Sequence, residues 1–321
     1  MESCDSGKFH PTLPLDAKYY QQCYQTFSRF MEFDMPYTYE TWYRQVLGAA
    51  IRDKLRGRGT EHRLTGQDDT KRSAEDGLLR HMGVGSGSGE LEIQILQALL
   101  EKFKFVYNRV IEPSAHQINL YERLVRGDNA LSAAVRFDWQ QQTLEAHLAH
   151  SDRRDKFDVV TSVHSIYYGG RMEEKVPVLY DLLTEDGFLV IVLLSDTDSL
   201  SQIQSEFLSP DIAGYRYYTK QTLQSFLIAN NIQHDTLDIP RFAIDITTCF
   251  DDSSEEGAQL LDFLSHMKHF RTAVHSKQRE KFMRLLRQNA HTIGNKVLLT
   301  HDTSVVLIQR TDKNFTKRDS P

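Results

Sequence analysis

The chain has 321 residues, of which 40% are hydrophobic, 26% charged and 10% aromatic; this suits one large domain or two small ones and excludes a disordered chain. Its 38 Lys and Arg against 44 Asp and Glu give a net charge of −6, which argues against a protein that grips nucleic-acid phosphates. The longest purely apolar run, Phe188 to Leu194, is far short of a membrane span. The first residues lack a basic stretch followed by an apolar one, so no secretory signal is read there. Three scattered cysteines, Cys4, Cys23 and Cys249, fit a reducing compartment, and no CxxC or HxxxH spacing suggests a metal. The expectation is a cytoplasmic protein with no membrane, nucleic-acid or metal partner.

In chain order, residues 1–15 read as a flexible tail. Tyr20, Tyr24, Phe27 and Met31 recur at helical spacing within Lys18 to Phe33, and Thr38 is an N-cap signal for a second helix through Trp42, Val46 and Leu47. From Asp53 to Asp76 the chain is polar, charged and aperiodic, the pattern of a flexible surface loop. From Leu78 short apolar runs alternate with helical patterns. Strands are predicted at Leu78–Val84, ending at Ile111, at Val135–Phe137, Phe157–Val163 and Gly187–Leu194. Helices are predicted at Leu91–Phe103, Ser114–Val125, Gln140–His150 and Met172–Leu183. This alternation predicts an α/β fold with a parallel sheet and helices on both faces. Further helices are predicted at Thr219–Ala229, Ala258–Met267 and Gln278–Gln288. Lys296–Leu299 and Ser304–Gln309 look like late strands that close the sheet edge antiparallel.

The sharpest local feature is Gly85-Ser86-Gly87-Ser88-Gly89-Glu90, between a predicted strand and a predicted helix. Glycines there let the backbone turn tightly and approach a ligand, and the following helix aims its first amides at it. The spacing is GxGxG rather than the GxGxxG of dinucleotide folds, which favours the loop of nucleoside-binding methyltransferases. Glu112 ends the next predicted strand, where a carboxylate can accept both hydroxyls of a ribose. A Gly/Ser run is otherwise a plain loop, and a lone Glu at a strand end is otherwise solvated; the pairing of the two carries the signal.

Together VGSGSGELEIQIL (84–96) and VIEPSAHQI (110–118) resemble the histamine N-methyltransferase family, and VRFDW (135–139), FDVVTSVHSIYY (157–168), ITTCF (246–250), LLDFL (260–264) and KVLLTHDTS (296–304) follow in order. The resemblance implies a Rossmann-like class I methyltransferase with a mostly parallel seven-stranded sheet, a helical substrate-binding subdomain and S-adenosyl-L-methionine as cofactor. It implies a methyltransferase domain over 16–310: an N-terminal substrate cap (16–52), an insertion (53–77), a cofactor-binding core (78–200), a substrate subdomain (201–295) and a closing strand (296–310), before a flexible tail (311–321). On the cofactor side it assigns Gly85, Gly87 and Gly89, with Glu112 on the ribose, Gln117 nearby and Val163 at the end of the fourth strand. The family's adenine serine falls on Leu144, with Thr143 just before it.

For the substrate, the resemblance points to a carboxylate that falls on Glu40, with Glu32 as the alternative. Two family amides fall on His164 and His301, the paired tyrosines on Tyr167 and Tyr168, and a pocket phenylalanine on Phe263. A family tryptophan has no equivalent between Asp196 and Leu208. The amide-to-histidine changes matter, because an amide never titrates whereas imidazole changes its donor count near neutral pH. His164 is the expected catalytic group, taking the proton that leaves the methylated nitrogen. The expected reaction is methyl transfer to a nitrogen of a small amine or imidazole compound, histamine-like first, by a protein acting as a monomer. The alternatives are a different small acceptor on the same fold, or a cofactor-binding protein without turnover.

Overall fold

The computed structural model describes residues 13–32, 38–55, 78–150, 155–208 and 215–311. Residues 1–12 of the expected tail, 56–77 of the expected insertion and 312–321 of the expected C-terminal tail lie outside the described residues.

In chain order the elements are α1 (Ala17–Arg29), β1 (Met31–Glu32), α2 (Tyr39–Trp42), α3 (Ala49–Lys54), β2 (Leu78–Val84), α4 (Glu90–Leu100), β3 (Phe105–Ile111), α5 (Ala115–Gly127), α6 (Asn129–Ala134), β4 (Val135–Gln140), α7 (Leu144–His150), β5 (Phe157–Val163), α8 (Met172–Asp181) and β6 (Leu183–Leu194). They continue with α9 (Ser199–Phe207), α10 (Lys220–Ala229), β7 (Asp235–Asp238), β8 (Phe242–Asp245), α11 (Glu255–Ser265), α12 (Phe270–Ala273), α13 (Ser276–Asn289), β9 (Ala290–Ile293), β10 (Lys296–His301) and β11 (Thr303–Gln309). A wide helical turn at Tyr43–Gly48 joins α2 to α3.

The chain divides into two compact units: Met1–Asp34, Leu194–Thr219 and Pro240–Thr303 form one, and Met35–Leu193, Lys220–Ile239 and Ser304–Pro321 the other. The second unit is built on a seven-stranded sheet in the order β4-β3-β2-β5-β6-β11-β7. The pairs β3–β4, β2–β3, β2–β5 and β5–β6 are parallel, and β11 pairs antiparallel with β7. This is the mostly parallel seven-stranded α/β sheet that the resemblance implies. Its central strands are mostly buried, as strands covered on both faces are; Val159, Val160 and the continuous apolar run Leu189 to Leu193 are fully buried. The first unit holds a separate antiparallel sheet, β1-β8-β10-β9.

Several expected boundaries are corrected. Residues 13–15 form a short helical turn rather than a tail: Leu13 is fully buried and its amide donates to the His266 carbonyl at 3.2 Å. Helix α3 runs through Lys54, and Leu55 is buried, so the expected insertion starts later than Asp53. The 296–310 segment is two strands in different sheets, because β10 pairs with β8 and β9 while β11 joins the seven-stranded sheet. Strand β11 lies inside that sheet, and β7, a polar stretch that reads as loop, forms the edge. Thr311 is tied to Tyr180 in both directions rather than starting a free tail. Residue Gln140 closes β4 instead of opening the next helix. Among the described residues no helix is long and apolar enough to cross a membrane, and no group of three or more His, Cys, Asp or Glu is placed to hold a metal ion.

Candidate active site

The glycine loop leaves the end of β2 and enters α4. Gly85, Gly87 and Gly89 all adopt positive φ, of 63°, 57° and 79°, a region other residues enter only at a cost. A Cβ on Gly89 would lie 2.2 Å from the Tyr121 ring, and one on Gly85 would lie 2.5 Å from Cβ of Ser165. A Cβ on Gly87 would meet nothing within 4 Å, so the loop is open at that point. The Ser86 hydroxyl is buried and has no hydrogen-bond partner among the described residues.

Glu112, just past β3, is 7% exposed. Its two carboxylate oxygens accept from the Gly87 amide at 3.0 Å and the Ser114 amide at 2.9 Å. Burial pushes its carboxyl up from the ordinary range, the Ser114 and Gly87 amides pull it down, and Glu92 adds to the rise. The carboxylate thus holds the middle of the glycine loop. Ser114 caps α5 by accepting from the Gln117 amide, and Gln117 is buried one turn from Glu112.

Ser165, after β5, donates to the Val84 carbonyl at 2.5 Å and meets Ser162 Oγ at 2.8 Å, so β5 is anchored to the start of the glycine loop. His164 adopts φ 50°, and its amide donates to the Val192 carbonyl at 3.0 Å. The loop that follows carries Tyr167, 5% exposed, and half-buried Tyr168. Buried Lys175 of α8 donates to the Ile166 and Tyr168 carbonyls, each at 2.6 Å. Glu145 of α7 accepts from the Gly170 amide at 3.0 Å; despite its burial, that bond and its neighbours hold its carboxyl below the usual range. Leu144 is buried at the start of α7, whereas Thr143 is exposed and its hydroxyl oxygen caps that helix by accepting from the Ala146 amide.

Beneath the loop lies a buried polar chain that sequence reasoning missed. Thr161 meets His81 Nε2 at 3.2 Å, His81 Nδ1 meets Asn108 Oδ1 at 2.7 Å, and Asn108 donates to Glu92 at 2.8 Å. Tyr121 also donates to Glu92, at 3.1 Å. The chain links β5, β2, β3, α4 and α5. Gly83 makes room for it, since a Cβ there would sit 1.9 Å from a Glu92 carboxylate oxygen. These residues are scattered through strands and helices, and no local spacing marks them as a set.

Glu40 is exposed on α2, and its charge adds to the burial that raises the carboxyl of Glu90, the first residue of α4. The alternative, Glu32, belongs to the other unit and is ion-paired with Lys296. That other unit holds Phe263 and His301. The Phe263 ring lies 4.5 Å from Phe27, 5.7 Å from Tyr20 and 5.9 Å from Tyr24, centroid to centroid. His301 is 5% exposed, edge-on to Phe27 and Phe242, with Nδ1 2.7 Å from Asp198.

The chain is 25% identical over 240 residues to histamine N-methyltransferase of Bos taurus, covering 72% of this chain and 82% of that protein. The chain is similar to histamine N-methyltransferases. It is also 26% identical over 196 residues to carnosine N-methyltransferase 2 of Gallus gallus, covering 59% of this chain and 60% of that one. A solved plantazolicin methyltransferase, BpumL, in complex with a pentazolic desmethylPZN analog and SAH, aligns over 94% of both chains at 13% identity with a TM-score of 0.47. No protein-family model matches the chain.

The sequence-derived residues sort by unit. Gly85, Gly87, Gly89, Glu112, Gln117, Leu144, Val163, His164, Tyr167, Tyr168 and Glu40 all belong to the unit with the seven-stranded sheet, and hydrogen bonds or contacts join the glycine loop to Glu112 and to the end of β5. Phe263 and His301 belong to the unit with the four-stranded sheet and share Phe27 as a neighbour. The Thr143 hydroxyl oxygen already serves its own helix, so nothing local marks it as an adenine contact.

Proposed function

We propose that the protein is an S-adenosyl-L-methionine-dependent N-methyltransferase acting on a nitrogen of a small amine or imidazole compound, with histamine the first candidate. The observation that carries the reading is the glycine loop of three positive-φ residues whose central amide is bonded to the buried carboxylate of Glu112. The residues fit the cofactor: the Ser86 hydroxyl lacks a partner, Gly87 leaves open space, and Glu112 presents two acceptor oxygens to a pair of ribose hydroxyls. When bound, this cofactor supplies an electrophilic methyl group on a sulfonium.

The protein's part is then binding, orientation and exclusion of water. Glu112 and Gln117 hold the ribose end, the glycine loop gives close backbone approach, and Leu144 packs against the base. The backbone of the loop that carries His164, Tyr167 and Tyr168 is held by Ser165, Lys175 and Glu145, which favours a preorganised wall for an acceptor. Phe263 with Tyr20, Tyr24 and Phe27 offers ring faces suited to a flat or cationic ligand. Histamine and carnosine, in the names of the relatives, share an imidazole ring, which supports an imidazole-bearing acceptor. Calorimetric titration with S-adenosyl-L-methionine and with its demethylated product is the test. One-site binding of both supports the reading, and no heat from folded protein would sink it.

A further inference from the structure

Glu92, in the first turn of α4, is 5% exposed, and its Oε1 accepts from Asn108 at 2.8 Å and from the Tyr121 hydroxyl at 3.1 Å. Behind Asn108 the donors all point one way. A carboxylate only accepts, so Asn108 turns its NH2 to Glu92 and its Oδ1 to His81; Nδ1 of His81 then donates and Nε2 accepts from Thr161. The Glu92 carboxylate ends this line and is held by it. Its Oε2 has no donor among the described residues. That oxygen stands at Gly83, where a Cβ would lie 1.9 Å from it and 2.5 Å from the Ser86 hydroxyl oxygen, itself buried and without a partner among the described residues. The missing side chain of Gly83 thus leaves a cradle bordered by an anionic acceptor and a hydroxyl. All of these residues belong to the unit with the seven-stranded sheet.

Strand order says what such a cradle meets. Strands β4, β3 and β2 lie side by side, and past or at their carboxyl ends stand Leu144, Glu112 and Gly83 in turn. With the base at Leu144 and the ribose hydroxyls at Glu112, the substituent on the ribose 5′ carbon comes next in line, at the end of β2. In S-adenosyl-L-methionine that substituent ends in an amino acid, whose ammonium offers three N–H donors. We propose that Glu92 and Ser86 form the subsite for the cofactor's ammonium group: Oε2 of Glu92 supplies the counter-charge, the Ser86 hydroxyl oxygen is a second acceptor, and Asn108 and Tyr121 are the positioning residues. The inference rests on the cofactor reading above and deepens it. The charge of Glu92 is felt at Glu112, whose carboxyl it helps to raise, so the two carboxylates serve one region. An amide at position 92 would still accept from Asn108 and Tyr121 but would carry no counter-charge.

Calorimetric titration of the full chain with three ligands tests the subsite without any turnover. S-adenosyl-L-methionine and its demethylated product both carry the ammonium, whereas 5′-methylthioadenosine has the base, the ribose and a thioether but no amino acid. Glu92→Gln should weaken the first two by roughly ten- to a hundredfold and leave 5′-methylthioadenosine unchanged. Ser86→Ala should weaken the same two by about three- to tenfold. Glu112→Gln should weaken all three, since each has the ribose. If Glu92→Gln weakens all three alike, Glu92 only supports the loop; if it weakens none, it meets no ligand; either result overturns the proposal. Loss confined to S-adenosyl-L-methionine would point to the sulfonium and also overturn it. Should Glu92→Gln fail to fold, the same pattern in Ser86→Ala, or its absence, decides. An unmodified protein that binds none of the three contradicts the cofactor reading itself, and the subsite falls with it.

Discussion

At Glu112 one carboxylate is buried and holds the Gly87 and Ser114 amides, and the proposed function asks it to bind a ribose as well. Its carboxyl is raised in the folded protein, chiefly by burial. A raised folded value means this group's contribution to stability is full below the unfolded carboxylate range and is lost as pH rises through the folded value. Glu112→Gln, which carries no charge, should therefore gain in melting temperature relative to the parent as pH rises from the carboxylate range to neutrality. The same variant should bind S-adenosyl-L-methionine about ten- to a hundredfold more weakly, the loss of charge-assisted hydrogen bonds. Equal affinity would remove the ribose role. His266 has the opposite sign. Burial pushes this imidazole down to about 4 from 6.5, so its contribution is present above the unfolded value and is lost as pH falls toward the folded one. It sits at φ 57°, a conformation asparagine tolerates. His266→Asn should flatten the fall in melting temperature across that acid window, and an unchanged fall would show that other groups set it.

Among the elements, the glycine loop was the most legible, because GSGSG stands between an apolar run and a helical pattern. Strand β5 was legible to the residue, since Phe157, Val159, Val160 and Val163 frame a short β-branched run between polar segments. Strand β7 was not: Asp-Thr-Leu-Asp has no apolar alternation, and its state comes from register with β11, Leu237 opposite Val305. The pair of His301 and Asp198 was only half legible. Resemblance marked the histidine, but the carboxylate lies 103 residues away and only the fold brings it there. Leu13 stands between prolines and reads as tail, yet it is buried. The loop itself makes a graded prediction. Gly87→Ala has open space and meets only the backbone cost of its positive φ, about 1–2 kcal/mol. Gly89→Ala meets the Tyr121 ring as well and should cost clearly more in urea unfolding. Equal costs would show that the ring yields freely.

At the scale of the whole molecule, the fold class followed from the alternation of elements after Leu78, while the second sheet and the discontinuous units did not. The four-stranded sheet joins segments from both ends of the sequence, so no local window contains it. Ligand linkage gives a global prediction: at a hundredfold excess over its dissociation constant the cofactor should stabilise the protein by about 2.7 kcal/mol, seen as a rise in melting temperature. Absence of that rise, in protein that unfolds cooperatively, would contradict a preformed cofactor site. The central claim is methyl transfer to nitrogen, and mass spectrometry tests it most directly. The protein is incubated with S-adenosyl-L-methionine and a panel of histamine, other imidazole compounds and simple amines. The account predicts that an imidazole-bearing or amine acceptor gains one methyl group on nitrogen, with the demethylated cofactor accumulating in equal amount. Cofactor binding with no acceptor methylated at any pH from acid to alkaline would contradict it.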